Sequence, residues 1–243
     1  MRIDVIGCGS AFAKNSNTSS LLLDDHWLID CGPTVPRALF RRNVGADQIQ
    51  AIYFTHIHPD HCAGVSALIN NWKSFGRREP LTIFCQKEQQ SALEFLVSFA
   101  NWPSSELGFE IHWQEIIDSF QWNNWTIETA DTQHEMPNKA LAITTDGYKL
   151  FYSGDGRPTK QSIQLMRNAD LAFQECASFQ SLSDDSSHGD FFGCIELLAI
   201  TQVKQLGLYH CWEEDLSDIK QQAGKIDKLF VSQDDLVIDL PQR

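Results

Sequence analysis

Short apolar runs, several alternating with polar residues, divide the chain into strand-like segments: RIDVI (2–6), SSLLLD (19–24), WLID (27–30), QAIYFT (50–55), LTIFC (81–85), WTIETA (125–130), ALAITT (140–145), YKLFYS (148–153), DLAFQ (170–174) and LGLYH (206–210). Between some of these the period lengthens. Val65, Leu68, Ile69 and Trp72 fall at i, i+3, i+4 and i+7, as do Leu93, Leu96, Val97 and Ala100, which predicts two amphipathic helices. Asp146-Gly147, between two strand-like runs, is a hairpin signal. Hairpins early in each half, followed by strand-helix-strand units, predict an α/β protein with two mixed sheets and outer helices, organised as one domain over residues 1–243.

On this layout the polar residues of interest stand just past strand ends. THIHPDH (55–61) follows QAIYF, His134 follows TIETAD, Asp155 follows KLFYSG, and His210 closes GLYH. In extended chain, residues i and i+2 share a side, so His56 and His58 can grip one ion, while Asp60 and His61 lie beyond the stiffening Pro59. Imidazole and carboxylate are fitting ligands for Zn²⁺ and similar first-row ions. One loop cannot fill two coordination shells, and His134, Asp155 and His210 offer what is missing.

Composition narrows the choices. The chain has 243 residues, 42% of them hydrophobic, with fifteen Phe and seven Trp, enough for a sizeable core. A net charge of −13 is unfavourable for gripping a long polyanion, because such binding rests on Lys and Arg neutralising phosphates. Seven cysteines, an odd number without a Cys-x-x-Cys pair, suit reduced thiols better than a disulfide framework. With no export signal or membrane-length apolar run, a cytoplasmic protein without a membrane partner is expected. Gly7 and Gly9 do not make a dinucleotide fingerprint, since Phe12 stands where the third glycine belongs and no βαβ unit follows. His26 and His112 read as structural, and Cys62 and Cys211, each directly after a candidate ligand, as buried packing residues. The ring-rich segment 99–125 reads mainly as core and strand.

Taken in order, THIHPDH, the histidine of HEMPN (134–138), the aspartate of YSGDG (152–156) and the histidine of LYHC (208–211) resemble the motif series of the metallo-β-lactamase fold superfamily. GCGSAF (7–12), NTSSLLL (17–23) and LIDCG (28–32) resemble the opening strands of its ribonuclease Z and phosphodiesterase branch. The resemblance implies an αββα sandwich with two divalent metals, Zn²⁺ first and Mn²⁺ or iron as alternatives, at one edge of the sheets. It further implies that His56, His58 and His134 bind the first metal, Asp60, His61 and His210 the second, and that Asp155 bridges them. Asp30 matches a supporting aspartate of the metal-binding loop. It also leaves room for a homodimer, though no residue in the sequence marks an interface.

QECASF (174–179) and SSHGD (186–190) resemble two short motifs by which ribonuclease Z enzymes place a glutamate and a histidine beside the metals, here Glu175 and His188. With Asp60, these are the candidate catalytic residues. Two departures count. The interval between His61 and His134 reads as helix, strand, helix and strand, without the long glycine-rich basic arm that holds tRNA, and its one adjacent arginine pair lies in SFGRRE (74–79). Gly189 stands where a Ser or Thr usually follows the histidine. The expected function is therefore hydrolysis of a small phosphodiester, a cyclic nucleotide or short oligonucleotide, by a hydroxide shared between the metals. The alternatives are a tRNA 3′-processing endonuclease and, from another class, a catalytically silent metal-binding or sensing module. The two-iron redox branch is disfavoured because His58 occupies the position of its glutamate, the glyoxalase II type because it leaves Glu175 and His188 unexplained, and a secreted β-lactamase because it needs export.

Overall fold

A computed structural model describes residues 1–104, 106–145 and 147–240. In the first half β1 (Arg2–Gly7), β2 (Ser20–Leu23) and β3 (Trp27–Ile29) form an antiparallel meander. Helix α1 (Val35–Arg41) then crosses to β4 (Ala51–Tyr53), parallel to β3. The short α2 (Pro59–Cys62), α3 (Val65–Ser74), β5 (Leu81–Cys85), α4 (Gln90–Asn101) and β6 (Ile111–Glu115) continue the sheet in parallel.

The second half repeats the plan. Strands β7 (Ser119–Trp122), β8 (Trp125–Asp131), β9 (Lys139–Thr145) and β10 (Tyr148–Tyr152) meander. Parallel units follow: α5 (Lys160–Met166), β11 (Leu171–Glu175), α6 (Phe191–Thr201), β12 (Leu206–Tyr209), α7 (Leu216–Ala223) and β13 (Leu229–Val231), before β14 (Val237–Asp239) returns to pair with β1. Each sheet has seven strands among the described residues, in the orders β14-β1-β2-β3-β4-β5-β6 and β13-β12-β11-β10-β9-β8-β7.

Side-chain alternation explains the layers. Trp27 and Ile29 of β3 face the second sheet, joined by Tyr53, Phe84, Ile127, Leu150 and Phe173, while Leu28 between them faces outward. The outer face of the first sheet takes Val65, Leu68, Ile69 and Trp72 of α3 and Leu93 and Val97 of α4, the periodic residues of the sequence. Met166, Leu197 and Ile219 cover the outer face of the second. The result is the αββα sandwich expected from the sequence.

The segment between His61 and His134 holds more strand than its pattern suggests. After α4 come β6, β7 and β8, because β6 and β7 are edge strands whose residues are half-buried or exposed and thus show no apolar run. The three-residue β13 and β14 escape notice through brevity. Asp146 of the Asp-Gly turn lies outside the described residues, while Thr145 pairs opposite Tyr148 across it.

Arg77, half of the arginine pair in SFGRRE, is buried. Its guanidinium donates to the carbonyls of Ala46, Ile49, Glu79 and Pro80 at 2.7–2.9 Å and lies over Trp72 and Phe109. It joins loops and is not part of a basic face. Arg77→Met, which keeps the volume but leaves these acceptors unpaired, is expected to lower unfolding free energy by about 3 kcal/mol in urea titrations.

Candidate metal centre and its acid–base pair

Strands with buried, apolar side chains end at one edge, and each hands over a polar residue there. β4 leads into Thr55–His58. Pro59 opens α2 at its first helical position and holds His58 extended (φ −59°, ψ 147°), so the chain turns between His58 and the helical pair Asp60 and His61. β8 leads to His134, β10 to Asp155, β11 ends on Glu175, and β12 leads to His210. Asp30 and His210 both have left-handed backbone (φ 57° and 58°), a conformation uncommon outside glycine.

The sequence-selected residues come together in two adjoining groups, one of His56, His58 and His134 and one of Asp60, His61, Asp155 and His210, each with ligand atoms within 4.8 Å of one another. Asp155 reaches across the pair. Its Oδ1 lies 3.3 Å from His61 Nε2, and its Oδ2 lies 3.3 Å from His210 Nε2 and 3.9 Å from His56 Nε2. Glycines flank it for a reason. A Cβ on Gly156 (φ 104°) would meet Gln133 O at 2.7 Å and the Cβ of His134 at 2.9 Å, so the close approach of the two loops at this point requires glycine.

Outer hydrogen bonds determine which ring nitrogens point inward. The Thr55 hydroxyl donates to Asp30 Oδ2 (2.8 Å), so its oxygen accepts from His56 Nδ1 (3.1 Å) and leaves Nε2 of His56 with a lone pair. His134 Nδ1 donates to the Ser187 carbonyl (2.9 Å), and His61 Nδ1 donates to Asp30 Oδ2 (2.8 Å). His58 turns Nε2 to Glu135 (3.4 Å). Its Nδ1 then stands 3.1 Å from both His56 Nε2 and His134 Nε2. Three lone pairs converging at that distance repel unless a cation joins them. His61 Nε2 and Asp155 Oδ1 are buried without a hydrogen-bond partner, as ligand atoms would be.

Charge points the same way. Burial, reinforced by the nearby charge of His61, pushes His56 well below its ordinary pKa, and burial and His134 lower His58, so both are kept in the neutral form that donates to metals. Burial would raise the Asp155 and Asp60 carboxyls, but the surrounding histidines overcome it and hold both ionised. Burial opposes a charge on His61 too, yet Asp155 and Asp30 raise its pKa well above the ordinary value. The centre thus demands positive charge, and its donor set fits divalent ions of the Zn²⁺, Mn²⁺ or iron type.

Beside the second group, Glu175 is fully buried. Its Oε2 accepts from the amides of Gly156 (2.8 Å) and Gly189 (2.9 Å), and its Oε1 lies 2.5 Å from His188 Nδ1. The hydrogen bond to Glu175, working against burial, raises the His188 pKa and favours the imidazolium. The Gly189 departure has a physical reading, since a Cβ there would meet the Glu175 carbonyl oxygen at 2.9 Å.

Sequence reasoning missed Thr55, Glu135 and Asn138. Asn138 receives the Asp155 amide (3.1 Å) and donates to Ser153 O (2.9 Å), so it shapes the Asp155 turn. Its place four residues past His134 in HEMPN was the available signal. His26 and His112 lie away from the centre, bonded to Asp24 O and near Glu110. Cys62 and Cys211 are buried and belong to neither donor group.

Comparison with known proteins agrees with this architecture. Residues 1–236 match the family model described as anti-Pycsar protein Apyc1. The chain is 22% identical to a ribonuclease Z of Methanosarcina acetivorans, covering 100% of this chain and 99% of the relative. It is 28% identical to the anti-Pycsar protein Apyc1 of Paenibacillus harenae, over 72% of this chain and 74% of that one. Among solved structures, the metallo-β-lactamase fold protein YhfI from Bacillus subtilis superposes with a TM-score of 0.82 at 22% identity, covering 98% of both chains. The fold is therefore the metallo-β-lactamase fold.

Because Asp30 orients His61 directly and His56 through Thr55, both partners are placed to tune metal affinity. Thr55→Val and Asp30→Asn are each expected to weaken Zn²⁺ binding about 10- to 100-fold in competition with a chromogenic chelator.

Proposed function

This chain belongs to the anti-Pycsar protein Apyc1 family, and on that footing we propose that it is a metal-dependent phosphodiesterase acting on a small phosphodiester, a cyclic nucleotide foremost. The observation that carries the reading is the Glu175–His188 pair, held at 2.5 Å beside two adjoining ligand groups, the second of which includes Asp155. Two divalent ions held there would supply Lewis-acid polarisation of a phosphoryl group and a water-derived nucleophile at neutral pH. The residues that would hold them are His56, His58 and His134 on one side and Asp60, His61 and His210 on the other, with Asp155 between.

The remaining work belongs to side chains. Breaking a P–O bond leaves a basic alkoxide that needs a proton as it departs. His188 is placed to give it, with Nδ1 spent on Glu175 and Nε2 free to face the leaving oxygen. Glu175, fixed by two backbone amides, keeps the ring oriented and stabilises its charged form. Asp60 ties His210 to the second group (3.1 Å to its Nε2) and completes the negative charge there.

No membrane partner is part of this reading, and no helix among the described residues is long and apolar enough to cross a membrane. The likeness to ribonuclease Z over the full chain favours a second reading, cleavage of a tRNA 3′ end. Against it stand the net charge of −13 and an arginine pair of which one member is consumed in loop packing.

The test refills the metal-stripped protein with Zn²⁺, Mn²⁺ or Fe²⁺ and offers 3′,5′-cyclic nucleotides, a precursor tRNA, and aryl and alkyl phosphodiesters. Metal-dependent opening of cyclic nucleotides is expected, with little cleavage of the tRNA. His188→Ala should reduce kcat about 10²- to 10⁴-fold on cyclic nucleotides and much less on an aryl ester, whose leaving group departs without a proton. Selective tRNA cleavage would establish the second reading. No turnover in protein carrying two ions would leave a silent metal-binding module.

A further inference from the structure

A cavity of about 640 Å³ opens beside the acid–base pair, lined by Ser10, Phe12, Lys14, Trp212, Glu213 and Glu214. Backbone bonds hold its walls to the metal centre. His210 N donates to Cys8 O (2.8 Å), Gly9 pairs with Cys211, and Trp212 N donates to Ala177 O (2.8 Å). The loop after β1 therefore lies against the segment after β12. The amide of Lys14 (3.3 Å) and the side-chain amide of Asn15 (3.5 Å) both reach the Glu213 carboxylate and close the far side.

Two aromatic rings in this cavity have little structural work. Phe12 is 90% exposed, the most exposed large hydrophobic side chain among the described residues. Trp212 is half-buried and meets His188 edge-on, with ring centroids 6.0 Å apart at 69°. The rest of the indole faces the cavity. A ring that touches the proton donor and also lines open space belongs where the leaving group sits.

Substrate connectivity now becomes informative. In a 3′,5′-cyclic nucleotide one ribose carries both the departing oxygen and the base. If His188 protonates that oxygen, the base must lie within one sugar of His188. We infer that this cavity is the nucleobase subsite, in which Trp212 and Phe12 offer stacking faces to the base of a single cyclic nucleotide. The inference rests on the phosphodiesterase reading above and specifies where its substrate's selectivity resides. Base–aromatic stacking tolerates many bases, since every base has a π-face. The carboxylates of Glu213 and Glu214 add selection of another kind. They disfavour a second phosphate on this side, so the subsite suits a mononucleotide better than a continuing nucleic-acid strand.

The test compares metal-loaded wild type with Trp212→Ala, Trp212→Phe and Phe12→Ala on cyclic AMP and on the base-free ribose 3′,5′-cyclic phosphate. The quantity read is the ratio of kcat/KM for the two compounds. Trp212→Ala should lower it about 10-fold or more and Phe12→Ala by a smaller factor, chiefly through KM for cyclic AMP, whereas Trp212→Phe retains most of it. An unchanged ratio in both alanine variants overturns the subsite, as does a Trp212→Ala loss equal on both compounds. Should wild type hydrolyse neither, the phosphodiesterase reading falls and the subsite is judged by calorimetric titration with AMP. Binding about 10-fold weaker in Trp212→Ala supports it, and equal affinity or no binding to wild type overturns it.

Discussion

Asp30 is the constraint on which the centre depends. Its carboxylate is fully buried and receives three hydrogen bonds, from Thr55 N, the Thr55 hydroxyl and His61 Nδ1, all at 2.8 Å. A buried carboxylate tolerates such a place only when its oxygens are satisfied, so these donors must arrive together. Their arrival fixes the end of β4, the tautomer of His61 and, through the Thr55 oxygen, that of His56. Asp30 itself stands at φ 57° at the end of β3, with its amide bonded to Tyr53 O, so the sheet registers the carboxylate against the loop. One side chain thereby links the parallel pairing of β3 and β4 to ligands of both groups.

Such a centre conflicts with folding. Seven groups that hold or invite charge, Asp30, His56, His61, Asp155, Glu175, His210 and the partly exposed Asp60, are drawn into a low-dielectric edge where each alone would be costly. The cost is met in part by mutual pairing, which keeps Asp60 and Asp155 ionised and raises His61. Divalent ions would complete the compensation, and ions that bind the folded chain and not the unfolded one stabilise it by mass action. Metal loading and stability would thus be coupled through the same groups.

The sequence disclosed much of this because the residues that carry it are local or strongly patterned. His56, His58, Asp60 and His61 are spaced by a loop and a Pro59-started helix, and the helix faces of α3 and α4 are periodic. His134, Asp155 and His210 became legible only as an ordered set. What stayed hidden depends on tertiary contact. Thr55 looks like any strand-end threonine until its hydroxyl donates to Asp30. Arg77 looks like surface charge until four carbonyls surround it. Strands β6 and β7 lie at sheet edges where half-exposed side chains erase the apolar signal.

The same distinction bears on substrate choice. On the proposed reading, a metal centre of this kind would supply phosphodiester chemistry without deciding what is attached to the phosphate, since its ligands and acid would touch only the reacting atoms. Discrimination would then come from elements within a sugar's length of His188, and the loop after β1 and the segment after β12 are two that backbone bonds tie there. These segments carry Phe12, Trp212, Glu213 and Glu214 around one cavity. On that proposal Lys14 stands against the two carboxylates in the lining, so a long polyanion would find little net cationic support there, whereas a single base with one charged diester would find stacking surface and no second phosphate to repel. On the proposed reading, the acidic balance of the chain, at first only an argument against nucleic acid, would become at this site a means of selecting small substrates.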